Sequence, residues 1–399
     1  MQQIILFDDE TVRGNMLPLA FTRPVGKFRI GISTLAEKWS LEFATDEVSF
    51  LTVDYLQAKY PTISDDDSLF IASHILPSDE LTEKISALAL GEALTYEGNV
   101  IAFRGSLDDF KAHRFSREIV LTEKPDGIYM LFDIFMKNGD VLVRDFRRLT
   151  QGRTSQPLSD TNTIIGEAHY ADGLPKIFIE EGATVEGAYL NVKNGPIYIG
   201  KDAEIMEGVA IRAPFAACEH AVVNMVSKIY GATTLGPYCK VGGELNNVVM
   251  QAYSNKAHDG FLGNAVIGEW CNIGAGVSAS NLKNDYSEIK LWNYPAHRFL
   301  RTGLQFCGLI MGDHSKCGIN SMLNTATVLG VGVNIYGAGF PRNFVASFME
   351  GSATTGYTNV RLTKFFDIAT RMMARRGKSL DDMDREMYRQ IYELSQVYR

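Results

Sequence analysis

An aliphatic residue at every sixth position, recurring through the second half of the chain, is the constraint that most narrows the fold. Ile199, Ile205 and Ile211 are six apart, as are Leu235 and Val241, and Phe261, Ile267 and Ile273. Met311, Cys317, Leu323 and Leu329 keep the same step and are followed by Gly312, Gly318, Asn324 and Gly330. Six residues are too few for one turn of a two-layer fold, and a β-sandwich alternates with period two instead of holding a six-residue phase. The period fits a triangular parallel β-helix. Each hexad forms one side, the aliphatic residue points inward, and a small or left-handed-tolerant residue takes the corner.

This texture occupies the middle of the chain. Residues 1–155 instead alternate short apolar runs at 4–7, 51–53, 69–72 and 100–103 with helical stretches such as 80–89, which predicts an α/β domain with much of its sheet parallel. The polar segment 151–160 carries turn formers and marks a boundary. The coil is expected over 160–358, and 359–399 as a helical tail. Ser379 and Asp382 form a capping-box-like start there, and Leu380, Met383, Met387, Ile391 and Leu394 follow at helical spacing. Arg371, Arg375, Arg376 and Lys378 cluster before it, as a solvated helix end or as a contact to coenzyme phosphates.

Charge and cysteine content exclude several classes of function. A net charge of -8 without a run of Lys or Arg argues against nucleic acid or an anionic membrane as partner and for small molecules. No apolar run approaches the roughly 18–20 residues that span a bilayer, so a cytoplasmic, unprocessed protein is expected. Cys218, Cys239, Cys271, Cys307 and Cys317 are odd in number and include no Cys-x-x-Cys pair, which points to buried free thiols. His74, His113, His169, His220, His297 and His314 have no spacing typical of one metal site, which argues against a zinc hydratase.

The chemistry-bearing stretch is Ser254-Asn255-Lys256-Ala257-His258, followed by Phe261-Leu262-Gly263-Asn264-Ala265-Val266-Ile267-Gly268-Glu269-Trp270-Cys271-Asn272-Ile273-Gly274-Ala275-Gly276 and then Ser280-Asn281. A histidine on a rigid coil suits transfer of an acyl group to an amine, because a base of near-neutral pKa must take the proton of the attacking ammonium. Residues 195–345 resemble the acetyltransferase half of the bifunctional glucosamine-1-phosphate acetyltransferase / N-acetylglucosamine-1-phosphate uridyltransferase family, and this stretch carries the resemblance. The resemblance implies a left-handed β-helix with His258 as base, and Glu244 and Asn281 supporting the base and holding substrate. It further implies Asn272 on the sugar, the Ala275 backbone facing the acetyl group of acetyl-CoA, and a homotrimer with sites between subunits. Lys228 stands where the family places an arginine for the sugar phosphate, which keeps the charge and loses the bidentate fork. Asn246, Phe261 and Leu282 replace a lysine and two tyrosines of the family pattern. The acceptor is then held differently, with Lys256 or Lys283 as compensating cation, or is not glucosamine-1-phosphate itself.

The front domain resembles a sugar nucleotidyltransferase with a rewritten phosphate loop, in the manner of an alternative, Bacteroidetes-type form of the bifunctional enzyme. Arg13, Arg23 and Lys27 are the expected triphosphate ligands, but Asp8, Asp9 and Glu10 stand where backbone N–H groups would cradle an anion. The usual aspartate after the central strand is replaced by Ala72-Ser73-His74, and Asp133, Asn138 and Asp145 remain as possible ligands, so no metal site is assigned. The expectation is acetyl-CoA-dependent N-acetylation of an amino-sugar 1-phosphate, coupled to uridyl transfer with Mg²⁺ and UTP if the front domain is active. The alternatives are a nucleotide-sugar-binding regulatory or scaffold protein with an inactive front domain, and an O-acyltransferase.

Overall fold

The computed structural model describes residues 3–399 and divides into two compact units. One is the chain through Phe28 together with Ser33–Met130; the other is Arg29–Ile32 together with Leu131–Arg399.

The front unit is built on six strands: β1 Ile4–Phe7, β2 Val48–Leu51, β3 Ser68–Ala72, β4 Glu92–Tyr96, β5 Asn99–Gly105 and β6 Arg117–Val120. Their order is β2-β1-β3-β5-β4-β6. β1 pairs in parallel with β2 and β3, β5 runs antiparallel to β3 and β4, and β6 is parallel to β4. The sheet is therefore mixed. β1 is a continuous apolar run with all four residues buried, as a central strand covered on both faces requires. The second strand lies earlier than the expected 51–53, and β4 has no counterpart among the expected strands. β4 is joined to β5 by Glu97-Gly98, both at positive φ, and a glutamate in that role is a poor hairpin signal.

The compact units part at Met130, ahead of the polar segment 151–160. The helix Asn138–Thr150 packs in the coil unit, where Leu142 and Phe146 bury against Ile32, Phe178, Ala216 and Cys218. The strap 29–32 is held there by side chains. Gln251 Oε1 accepts from Arg29 N (2.6 Å), Asn138 Oδ1 from Gly31 N (2.8 Å) and Asp145 Oδ2 from Ile32 N (2.7 Å). Asn138 and Asp145, considered as metal ligands from the sequence, are thus spent on backbone within the coil unit.

The coil is a parallel β-helix with three walls. One contains Glu204–Ile205, Val222–Val223, Lys240–Val241, Asn255–Lys256, Asn272–Ile273, Lys316–Cys317 and Asn334–Ile335, each pairing in parallel with the next. The expected inward positions Ile199, Ile205, Ile211, Leu235, Val241, Ile267, Ile273, Met311, Cys317, Leu323 and Leu329 all lie in one hydrophobic core. Phe261 is the exception. It lies half-buried on the outer face opposite Glu244, and its neighbour Leu262 fills the interior. The regular coil step is 18 residues, as from Glu204 to Val222 and on to Lys240. It shortens to 15 between Lys240 and Asn255 and to 17 between Asn255 and Asn272. The step from Asn272 to Lys316 is 44 residues and includes the antiparallel hairpin Lys290–Asn293/Arg298–Arg301. All five cysteines are free and buried.

One corner of the coil departs from the expected small residues. His220, Tyr238, Tyr253, Trp270 and His314 occupy it with φ of 55, 59, 54, 58 and 56°. Bulky residues in this region cost roughly 1–2 kcal/mol each. Their rings stack into a ladder, with centroids 4.5 Å apart for His220–Tyr238, 5.2 Å for Tyr238–Tyr253 and 4.2 Å for Tyr253–Trp270. Each such pair contributes about 0.5–1.5 kcal/mol beyond burial, which offsets part of the strain.

The chain ends in two helices, Leu362–Ala374 and Asp382–Leu394, then a short 3₁₀ turn. The second helix is capped by Asp381, which accepts from Asp384 N, and not by Ser379. Met387 and Ile391 are buried as expected, whereas Met383 and Leu394 are about half exposed (48% and 49%). Arg371, Arg375, Arg376 and Lys378 are exposed around the turn between the helices. None of the helices in the described residues is long and apolar enough to cross a membrane.

Replacing Tyr253 with Ala removes two stacked partners and is expected to lower stability by about 1–3 kcal/mol, while Tyr253→Phe stays within about 0.5 kcal/mol of the parent. Urea unfolding followed by Trp270 fluorescence measures both. Equal losses in the two variants would place the contribution in the hydroxyl instead of the stack.

Candidate active site at a corner of the coil

His258 lies where the wall holding Asn255–Lys256 turns into the wall beginning at Phe261. Four residues, Ala257-His258-Asp259-Gly260, make this corner, but the corner one coil earlier is only Gly242-Gly243. The longer segment lies directly on the shorter one. A Cβ on Gly242 would come 2.4 Å from Ala257 O, and one on Gly243 would come 2.8 Å from Asp259 Cα. Two glycines are therefore required by close backbone approach, and Gly243 also has φ +75°.

Every carbonyl of the four-residue segment is held. Ala257 O accepts from Asn224 Nδ2 (2.7 Å) and His258 O from Lys256 Nζ (2.8 Å). Asp259 O accepts from Gly276 N (2.9 Å) and Gly260 O from Glu244 N (3.1 Å). The His258 side chain is exposed on this fixed backbone and makes no hydrogen bond among the described residues. An imidazole so placed is accessible to a bound substrate, and the held main chain fixes the point from which it projects.

Glu244 does not hydrogen-bond to His258. Its carboxylate pairs with Lys228 at 2.9 Å, which raises the lysine's pKa chiefly through that hydrogen bond. The two residues face each other in register on neighbouring coils. Phe261 and Asn281 converge over Gly263, where an added Cβ would meet Asn281 Nδ2 at 2.6 Å and Phe261 Cζ at 2.7 Å. Asn281 Nδ2 donates to Asn264 Oδ1 (2.7 Å), and Asn264 turns its corner at φ 45°. Lys228, Glu244 and Phe261 therefore share one wall, and Asn281 lies just beyond its strand Ser278–Ala279. Asn272 is exposed on the preceding wall between Asn255 and Lys316, and Ala275 occupies the same corner as His258 one coil later, its carbonyl accepting from Asn320 N (2.8 Å).

Lys256 is not available as a surface cation for a phosphate. It is 1% exposed, and its ammonium donates to Gly242 O and His258 O, both at 2.8 Å. Lys283, the other compensating cation considered, donates to Glu288 O (2.9 Å) and Ser287 Oγ (3.3 Å). Residues that the sequence reasoning passed over are Asn224, Gly242, Gly243, Gly263 and Asn264. The Gly242-Gly243 pair, breaking the six-residue phase just before the histidine, was the available signal.

In the front unit the rewritten loop turns inward. Asp8 follows β1 and is almost fully buried, its carboxylate accepting from Thr52 Oγ1 (2.6 Å) and Val25 N (3.0 Å). Burial raises its pKa above the usual carboxylate value, against the lowering effect of these hydrogen bonds and of Arg13. Asp9 caps the short helix Glu10–Asn15 by accepting from Val12 N. Arg13 donates to Ala20 O (2.7 Å) and Tyr55 Oη (2.8 Å), and Arg23 is 5% exposed. Of the three expected triphosphate ligands, Lys27 alone presents an exposed ammonium, 5.0 Å from the Phe50 ring centroid. Beside this cluster His74 is buried, and desolvation depresses its pKa to about 4. No three His, Cys, Asp or Glu residues gather to hold a metal ion among the described residues. The carboxylates that follow β1, Asp8 and Asp9, are bonded instead to hydroxyl and amide donors of their own unit.

Because the folded state binds the Asp8 proton more tightly than the unfolded chain does, Asp8 favours the folded state at low pH. That contribution is lost as pH rises above the unfolded carboxylate value of about 4. Asp8→Asn is expected to flatten the fall in front-unit stability above pH 4, measured by urea midpoints between pH 4 and 7. A steeper fall in the variant would mean that the charged carboxylate is favoured.

Comparison with known proteins supplies the context. Residues 4–154 match the family model described as sugar nucleotidyl transferase. The chain is similar to a bifunctional sugar-1-phosphate nucleotidylyltransferase/acetyltransferase of Sulfurisphaera tokodaii, 30% identical over 149 residues, 37% of each chain. It is also similar to the bifunctional protein GlmU of Trichodesmium erythraeum, 29% identical over 140 residues, 35% of this chain and 25% of that one. The matches thus span between a quarter and two fifths of those relatives' length. Among solved structures, LpxA, a UDP-N-acetylglucosamine acyltransferase from Bacteroides fragilis, aligns with 61% of this chain and 84% of its own at 14% identity and a TM-score of 0.30. The resemblance noted in the sequence is thus matched by a sugar nucleotidyl transferase model over the front of the chain and by low-identity similarity to bifunctional nucleotidylyltransferase/acetyltransferases.

Proposed function

We propose that the coil transfers an acetyl group from acetyl-CoA to the amine of an amino-sugar 1-phosphate, glucosamine-1-phosphate being the first candidate, with His258 as general base. The observation that carries this reading is the solvent-facing imidazole on a segment whose four carbonyls are all bound. The neutral imidazole takes a proton from the substrate ammonium as its nitrogen attacks the thioester carbonyl. The C–S bond then breaks, and the departing thiolate receives a proton.

On the wall that follows the imidazole, Lys228 offers a cation for the phosphate, and at its far corner Asn281 and Asn264 offer amide groups suited to sugar hydroxyls. Because Lys228 is paired with Glu244, an incoming phosphate competes with that carboxylate, and Glu244 acts first on the lysine. Asn272 and the Ala275 backbone remain, on the strength of the resemblance, the proposed contacts for sugar and acetyl group. Met225, Val226, Ile319 and Met322 are exposed at 61, 70, 72 and 43% on the same corner and wall. An apolar surface of this kind suits cover by another copy of the chain, which supports a homotrimer. The cytoplasm, where acetyl-CoA and UTP are available, is the proposed setting.

For the front unit two readings stand. The family match and the relatives' names favour sugar nucleotidyl transfer, with UTP and Mg²⁺ giving UDP-N-acetylglucosamine. The inward Asp8 and the internal bonds of Arg13 favour a unit that binds a nucleotide sugar without turning it over, and we adopt the second reading.

Incubating the protein with acetyl-CoA and glucosamine-1-phosphate is expected to release CoA, and His258→Ala to slow that release by about 10²–10⁴-fold. No release by the parent, or equal release by the variant, overturns the acyl-transfer reading. With UTP, Mg²⁺ and N-acetylglucosamine-1-phosphate no pyrophosphate is expected; its appearance restores uridyl transfer to the front unit.

A further inference from the structure

Lys256 occupies a place where the coil interior otherwise uses apolar side chains. Its register partner in the preceding coil is Val241, and Ile205, Val223, Ile273 and Cys317 hold the matching positions of that wall, all buried in the core. An ammonium there is unfavourable, since a charge removed from water loses its hydration unless it is well bonded. Burial lowers the lysine's pKa to about 8, and Asp259 is the charged group nearby that favours the protonated form. A methionine would fill a similar volume without this cost.

What the lysine adds is a pair of hydrogen bonds. Its Nζ joins Gly242 O on the shortened corner to His258 O on the segment that bears the imidazole, at 2.8 Å each. A valine or isoleucine at this position could make neither bond. The other three carbonyls of the segment are held by Asn224 and by backbone N–H groups, so the His258 peptide is the point fixed by a charge.

We propose that Lys256 is a positioning residue for His258, its interior ammonium tying the His258 carbonyl to Gly242 so that the imidazole projects from a fixed corner. The catalytic part of this inference rests on His258 being the base. The structural part does not. Amides that donate to the same segment report on it directly, namely Gly276 N to Asp259 O and Glu244 N to Gly260 O.

The test substitutes Lys256→Met in the full chain, with Lys256→Leu as a second apolar replacement in case the first does not fold. A thermal midpoint at or above the parent's is expected. Hydrogen exchange at the Glu244 and Gly276 amides should quicken by about tenfold or more while the other walls stay protected, and kcat should fall about 10²-fold with acceptor KM within about twofold, the signature of a displaced base. A folded apolar variant with parental exchange at both amides overturns the proposal. So does faster exchange with parental kcat, provided that His258→Ala is inactive. If His258→Ala is fully active, the base assignment fails by itself, and the exchange measurement still decides whether Lys256 holds the corner.

Discussion

Parallel backbone pairing between successive coils is the constraint on which the coil unit depends. Each wall strand bonds to the one before and the one after, so a residue's interior or exterior position is inherited from the coil beneath it. Changes in chain length can then be absorbed only at corners or by loops leaving the wall. The regular step of 18 residues between Glu204 and Val222 becomes 15 between Lys240 and Asn255, and the loss is taken partly at the corner Gly242-Gly243. His258 stands on the next corner, at a discontinuity in a frame that is rigid above and below. A side chain at such a place can be solvent-facing and still well oriented.

Much of this frame was legible from the six-residue phase, because burial in a β-helix is strictly periodic and most inward positions are aliphatic. The phase misplaced Phe261, since the 17-residue step to that coil moved the interior position to Leu262. Aromatic corners were also hidden. Propensity alone favours glycine or asparagine at positive φ, and only the three-dimensional stacking of Tyr238, Tyr253 and Trp270 makes large rings acceptable there. The helix Leu362–Ala374 lies inside the expected helical tail 359–399, but its start carries no local signal: its N-cap is Arg361, which makes no side-chain capping bond.

At the candidate site the spacing along the chain does not give the directions of the side chains around His258. Glu244 and Lys228 were each assigned separate roles, yet their register places them side by side, and opposite charges at that distance pair before either meets another partner. The front loop failed in the opposite sense. Asp8 looked like a carboxylate repelling phosphate, but Thr52 and the Val25 amide draw it into the unit, so its charge is not presented where the argument placed it. Side-chain direction after a strand depends on which distant donors the fold brings near, and spacing along the chain does not encode that.

Asp8 and Lys256 together show how the two units treat a buried charge. Asp8 has a nearby opposite charge in Arg13, 3.9 Å away, along with a hydroxyl and an amide donor, so several groups share its stabilisation. Lys256 bonds to two peptide carbonyls and to no carboxylate, which is a weaker arrangement for a cation inside an apolar column. The matching positions of this wall are filled by Val223, Val241 and Ile273, so the column packs there without a charge. The benefit of the lysine must therefore lie in where its two carbonyls are held, and one of them belongs to the residue whose imidazole faces solvent. The same bond that weakens the core fixes the corner, and the strain of the buried charge is confined to one wall position beneath the site.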